Sequence, residues 1–289
     1  MLGNTLRTIS PRVARFFVAI TVFLLLAGCA MRLAYNTLDF WIPYYLSDFV
    51  NLDSKQELIF DNELRKALMV HRRKELPKLH RLLYDLQPDL GKPLTYTQIR
   101  DYHFRFTAIG QDTMTLMAEP LAAMLSQLDG QQIAQLNNQI KSEIEKRRQD
   151  RAILTTKQKV NKRSQALEDA SLFWVGSLTR KQKILLSEMA GYQVEMESVF
   201  FFFWTDFLDN WRLLMEDRGK PHFQAELSKV LQRLVAFEND KVQAELNFYL
   251  NRRFDVIRRL NNSLSAGQRK YFERRLTDIR KNIAVLINQ

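Results

Sequence analysis

The chain has 289 residues, 46% of them hydrophobic, which is enough to bury one or two sizeable cores without a disulfide or a structural metal and excludes a disordered protein. Only 9 Gly and 7 Pro interrupt it, so long helices are expected in place of many short strands joined by tight turns. A formal charge of +11 suits an anionic partner or a heavily solvated surface, and the single cysteine, Cys29, cannot form an internal bridge.

At the N-terminus, Arg7, Arg12 and Arg15 precede the apolar run from Phe16 to Leu26, with no acidic residue among them. This is the layout of a secretory signal, and the run is shorter than the roughly 20 apolar residues a membrane-spanning helix needs. Leu26-Ala27-Gly28-Cys29 follows at once and resembles the lipobox of bacterial lipoproteins. The resemblance implies cleavage before Cys29, a diacylglyceryl group on its thiol and acylation of the new amine. Three acyl chains, at about 0.8 kcal/mol per buried methylene, make an anchor to membrane lipid that does not dissociate on biological times. Ala30 and Met31 stand where an aspartate would favour inner-membrane retention, so the same resemblance implies the outer membrane with the domain facing the periplasm. Three segments are therefore expected: a signal peptide over 1–28, a lipidated membrane-proximal segment over 29–50, and a helical domain over 51–289. That domain is either one body or two sub-bundles joined near 145–175.

The segment from Leu33 to Val50 holds Tyr35, Phe40, Trp41, Tyr44, Tyr45 and Phe49. Aromatics with a polar tip favour membrane interfaces, so it either rests on lipid headgroups or packs against the domain. Beyond it, five runs share one pattern: Leu52–Gln56, Leu94–Gln98, Leu128–Gln132, Leu178–Gln182 and Leu264–Gln268 each have Leu, then Asp, Thr or Ser, two residues, then Gln. The spacing is that of a capping box, so five helix starts are expected, with Ile99 and Ile133 stapled against Leu94 and Leu128. The runs lie 42, 34, 50 and 86 residues apart, which excludes a regular solenoid. Pro88 to Pro93 ends one helical run, Gly176 another, and Arg218-Gly219-Lys220-Pro221 is expected to supply a C-terminal glycine cap and a proline that opens the next helix. Pro77 and Pro120 are expected to start or kink helices.

Between Glu145 and Gln165, 8 Lys or Arg face only Glu145 and Asp150, so this stretch is expected to form an exposed polar helix or a bridge between bundles. Val199 to Trp204, with Phe207, Leu208 and Trp211, is apolar nearly all round and is expected to run through the middle of the core. His71 and Glu75 share a helical face at a spacing that presents two ligands to zinc, but a zinc site needs more, and His80, His103 and His222 are scattered. No nucleophile arrangement, phosphate loop or nucleotide fingerprint is present, so neither catalytic residues, a cofactor nor a metal is expected. The basic residues are the remaining signal, above all Arg147, Arg148 and Arg151 and the pairs Arg252-Arg253, Arg258-Arg259 and Arg274-Arg275. They form a candidate face for an anionic partner: lipid, lipopolysaccharide phosphate, peptidoglycan carboxylates or an acidic protein. Export removes nucleic acid from the choices.

Taken with the lipobox, Leu33-Ala-Tyr-Asn-Thr-Leu-Asp39 with Trp41, His71-Arg-Arg-Lys-Glu-Leu-Pro77, the arginines from Arg147 to Arg163 and Gly176-Ser-Leu-Thr-Arg-Lys-Gln182 resemble a proteobacterial lipoprotein family known as domain of unknown function 6279. That family carries no assigned activity, so only Cys29 inherits a role from the resemblances. The Leu-Thr-x-x-Gln runs are also similar to motifs of helical periplasmic stress chaperones. The expected protein is all-α, a multi-helix bundle with at least one long exposed polar helix, acting in the envelope by binding or as a structural element. A chaperone-like polypeptide binder and an envelope enzyme acting on peptidoglycan or lipid are the alternatives. Cys29→Ser is expected to leave the precursor unlipidated and uncleaved, and radiolabelled palmitate entering the variant would contradict the assignment.

Overall fold

A computed structural model describes residues 29–289, and the signal-peptide assignment over 1–28 lies outside the described residues. These residues form eleven helices and no strand: α1 (Cys29–Asn36), α2 (Leu38–Leu46), α3 (Ser54–Asp89), α4 (Tyr96–Leu125), α5 (Gly130–Ala152), α6 (Thr156–Val175), α7 (Arg180–Glu195), α8 (Glu197–Glu216), α9 (Phe223–Ala236), α10 (Gln243–Asn262) and α11 (Ala266–Ile287). The all-α bundle expected from the breakers and the capping runs is what forms.

All five Leu-x-x-x-Gln runs begin helices, with complete capping boxes at α3, α4, α5, α7 and α11. A sixth, Thr155 with Gln158, starts α6. In each, the N-cap amide donates to the glutamine Oε1 at 2.8–3.0 Å. That bond turns the glutamine Nε2 outward with two hydrogens to place. At two sites another capping box takes them. Gln56 Nε2 donates to Gln132 Oε1 at 2.9 Å and to the Gln127 carbonyl, while Gln132 Nε2 donates to Gln56 Oε1 at 2.7 Å and to the Asn51 carbonyl. Gln182 and Gln268 repeat the arrangement: they exchange bonds of 3.0 and 2.9 Å and reach the Ser263 and Ser177 carbonyls. In all four cases the carbonyl lies five residues before the opposing glutamine, so each clasp has local two-fold symmetry. Glutamate would cap as well as glutamine. It carries no N–H to share, and two facing carboxylates would repel.

The α3–α4 hairpin is the spine. α3, with 36 residues, is about 54 Å long, so two cores fit along it. The first gathers Phe60, Leu64, Met124, Leu125, Trp211, Met215 and Leu227 from α3, α4, α8 and α9, with Leu136 of α5, beside the Gln56–Gln132 clasp. The second gathers Leu76, Leu83, Leu94, Ile99, Phe254, Leu276 and Leu286 from α3, α4, α10 and α11. The α3–α4 turn is fixed by Arg269 of α11, whose guanidinium donates to the Leu90, Lys92 and Asn261 carbonyls at 2.6–3.0 Å, while the Asn261 side chain accepts from the Leu94 amide at 2.8 Å. Gly176 closes α6 with φ of 75° and lies close enough to Tyr271 that a β-carbon would press on the ring at 3.1 Å.

Four expectations change in detail. The long exposed polar helix is α5, in which Leu136 is the only buried residue, but it stops at Ala152 and does not continue to Gln165 because the Thr155 cap starts a new helix. The aromatic run of α8 enters the core on one side only: Phe203, Leu208 and Trp211 are buried, whereas Phe202 is 40% exposed. Gly219 is not a left-handed cap; the residue after α9, Phe237, takes that conformation with φ of 54°. Pro77 and Pro120 sit inside α3 and α4 and begin neither.

Segment 29–50 packs against the domain along one side and is open on the other. Tyr35 is buried, with its hydroxyl 2.9 Å from His71 Nδ1, and Ile42, Leu46 and Phe49 join the first core. Leu33, Phe40, Trp41 and Tyr44 stay exposed.

Gln182 is fully buried, so Gln182→Ala strands Gln268 and the Ser263 carbonyl and is expected to destabilise the fold by about 1–3 kcal/mol. Gln268→Ala is expected to cost a similar amount, and the double Ala variant less than the sum of the two, since each single change also leaves the other glutamine without its partner. Urea melts of the two single variants and the double variant measure it, and strictly additive losses would show that the clasp carries no coupling.

A cation-lined cavity between α5, α6, α8 and α10

The break between α5 and α6 folds the basic stretch back on itself. Arg147, Asp150 and Arg151 from the end of α5 and Arg163 from α6 then face the start of α8. Glu197, in the first turn of α8, is paired with Arg151 and with Lys159 at 2.7 Å. Burial pushes its carboxyl up, but the bonds and charges of Arg151 and Lys159 together outweigh this and hold it below the usual range. α8 then presents Phe200, Phe201 and Trp204, and α10 presents Tyr249 and Arg253. The left-handed Phe237 lays its ring on Phe203 with centroids 5.1 Å apart and meets Phe200 edge-on at 6.2 Å. That backbone conformation costs about 1–2 kcal/mol for a residue with a β-carbon, and here it completes an aromatic wall.

The result is a half-open cavity of about 600 Å³ with an aromatic floor and four guanidinium groups against two carboxylates, Asp150 and Glu197, on its walls. The volume lies in the range of small-molecule sites. Among the described residues neither Arg163 nor Arg253 has a carboxylate partner. Arg163 is exposed at the cavity wall, and it donates only to the neutral Gln193 side chain. Its guanidinium is drawn below its ordinary value by burial, with Arg253 and Arg151 pushing the same way and Tyr249 opposing. Arg253 Nε is buried with no hydrogen-bond partner. A guanidinium that no carboxylate engages keeps its charge and its N–H groups available to an anionic ligand.

The remaining arginines of the candidate face are used inside the fold. Arg252 lies over the Tyr192 ring at 3.5 Å and bonds Glu195 at 2.5 Å. Arg258 bonds Asp255 at 2.7 Å, and Arg259 joins Asp255 at 2.9 Å to Glu188. Arg148 lies near Glu145 and over Phe201, Arg274 over Tyr271, and Arg275 over Phe173 at 4.0 Å. The structure thus brings Arg147, Arg151 and Arg253 to one cavity, adds Arg163, and disperses the others. His71 and Glu75 do not converge with further ligands. Burial holds His71 below its ordinary value, Glu75 pairs with Lys78 at 3.0 Å, and Lys78 reaches Asp112 of α4 at 2.7 Å. No group of three or more His, Cys, Asp or Glu able to hold a metal occurs among the described residues.

Fold and cavity together define a class: an all-α helical protein with an arginine-walled, aromatic-floored cavity set against the small apolar cluster of Phe203, Leu246 and Tyr249. The chain belongs to the family of unknown function DUF6279, whose model matches residues 48–240. That match takes in α3 to α9 and most of the cavity, while Tyr249 and Arg253 lie beyond it. No curated protein and no solved structure matches the chain.

Stability separates the two kinds of arginine. Arg253→Met removes a charge with no carboxylate partner and is expected to leave the melting temperature unchanged or higher, whereas Arg259→Met removes the only cation on Glu188 and one of two on Asp255 and is expected to cost about 1 kcal/mol at neutral pH. Arg259 holds the Glu188 carboxyl below its ordinary range, and it adds to the larger effect of Arg258 on Asp255. The stability it adds is therefore present above the ordinary carboxylate values, near 4, and is lost as pH falls through the depressed ones. The curves of the parent and Arg259→Met should converge at acid pH, below the depressed carboxyl values. A larger loss from Arg253→Met than from Arg259→Met would show that the cavity arginine is structural.

Proposed function

We propose that this protein is a lipoprotein of the cell outer membrane, held by acylated Cys29 with its helices in the periplasm, and that it acts by binding an anionic envelope component without catalysing a reaction. Membrane attachment is supported by the lipobox at Leu26 to Cys29 and by the packing of α1 and α2 on the domain through Tyr35, Ile42 and Leu46. The domain is thereby held near its anchor, with Leu33, Phe40, Trp41 and Tyr44 exposed beside it as an aromatic ladder suited to headgroups. No helix among the described residues is long and apolar enough to cross a membrane, so in this reading the attachment is the lipid itself.

The observation that carries the binding role is the pair Arg163 and Arg253, two guanidinium groups facing an aromatic cavity with no carboxylate to neutralise them. A ligand anion supplies what the fold omits, through short charge-assisted bonds in a partly dehydrated site. The full lipidated protein in neutral phosphatidylcholine vesicles is expected to bind an aromatic sulfonate fluorophore in the cavity. Arg163→Gln and Arg253→Gln should each weaken binding by about tenfold, in line with roughly 1.5–3 kcal/mol for a hydrogen bond to a charged group. Arg258→Gln should not. Equal affinity in all three variants would remove the cavity as the binding site.

A further inference from the structure

A second half-open cavity, about 460 Å³, lies directly beyond the first: His103 and Arg253 line both. The second is enclosed by α3, α4, α6, α7, α10 and α11, and its wall is aliphatic and aromatic, with Leu94, Leu167, Trp174, Met189, Ile257 and Leu264 among its residues. It has no carboxylate, and Arg253 is its only charged lining group. His103, tilted against Phe254 with ring centroids 4.9 Å apart, is held below its ordinary value by burial and by Arg253, which disfavours a positive charge on it.

We infer that the two cavities together form the site of a long-chain fatty-acyl anion, with its carboxylate between Arg163 and Arg253 and its chain beyond Arg253 in the second cavity. The inference rests on the binding role proposed above and names its ligand class. The chemistry follows from the order of the linings: a single anionic charge meets the unneutralised guanidinium pair, and past that point no polar group is offered except the His103 imidazole, the Tyr102 and Ser171 hydroxyls and the Asn261 amide. A compact hydrophilic anion would leave the second cavity unfilled. An uncharged chain would leave Arg253 Nε buried without a partner. Each chain methylene that enters the second cavity raises affinity about fourfold, the equivalent of ~0.8 kcal/mol.

The test uses the full lipidated protein in phosphatidylcholine vesicles and a palmitate analogue with a diazirine near its methyl end, with labelled peptides mapped by mass spectrometry. Label is expected on the α6 and α10–α11 peptides that contain Trp174, Ile257 and Leu264, displaced by palmitate at far lower concentration than by octanoate, and reduced at least tenfold by Arg253→Gln. Ser171→Phe, which fills the second cavity from its edge, is expected to weaken competition by palmitate while sparing octanoate, with helicity and melting checked in both variants. If octanoate competes as well as palmitate and Arg253→Gln still removes the label, the cavity takes an anion without a chain; the proposed function stands and this inference falls. If label appears only on exposed faces and is indifferent to Arg253, both fall.

Discussion

Every helix start leaves backbone N–H groups without intrahelical partners, and the way this chain satisfies them determines most of its architecture. A glutamine at the third helical position accepts from the N-cap amide, which fixes its side chain and aims its Nε2 away from its own helix. Two such starts placed face to face then satisfy each other and each other's preceding loops. Gln56 with Gln132 ties the start of α3 to the start of α5, and Gln182 with Gln268 ties α7 to α11. The clasps join segments 76 and 86 residues apart. The fold thus gains long-range fixed points that a capping box alone does not supply.

Those fixed points set where the cavities lie. One clasp serves the core of α3, α4, α5, α8 and α9; the other ties α7 to α11, whose Leu178 and Leu264 neighbours line the second cavity. The first cavity is walled by the α5–α6 corner, the aromatic face of α8 and the Arg253 side of α10. The corner exists because Thr155 and Gln158 restart the helix just after Ala152. A continuous helix from Gly130 to Gln165 would carry Arg163 away along its axis, and the cavity would lose one of its two unneutralised cations.

Much of this was legible in the sequence. Five helix starts, the stop at Pro88 to Pro93 and the Gly176 cap are local chemistry, and local chemistry is what a sequence displays. The sixth start has the same Leu-Thr-x-x-Gln spelling at Leu154, but it lies among so many lysines and arginines that the stretch passes for one polar helix. Which glutamine faces which was not legible, since nothing in either run encodes a partner so far along the chain. The arginines divide the same way. Arg258 and Arg259 follow Asp255 by three and four residues, so their ion pairs follow from helical spacing. Arg252 and Arg253 are neighbours pointing in different directions: one meets Tyr192 and Glu195, the other enters the cavity. That distinction depends on α7 and α8, elements distant in sequence. The aromatic run of α8 misleads for a related reason, because a face that lines a half-open cavity is as apolar as one in a core.

If Arg163 and Arg253 are kept free of carboxylates for an anionic ligand, the protein should carry that ligand when it leaves the cell. Protein purified from its own membranes in a nonionic detergent, extracted with organic solvent and analysed for non-covalent acyl anions, tests this without any choice of probe. About one such anion per chain is predicted for the unmodified protein and essentially none for the Arg163→Gln, Arg253→Gln double variant. The same amount recovered from both, or none from either while the fluorophore still fails to enter the cavity, would contradict the claim.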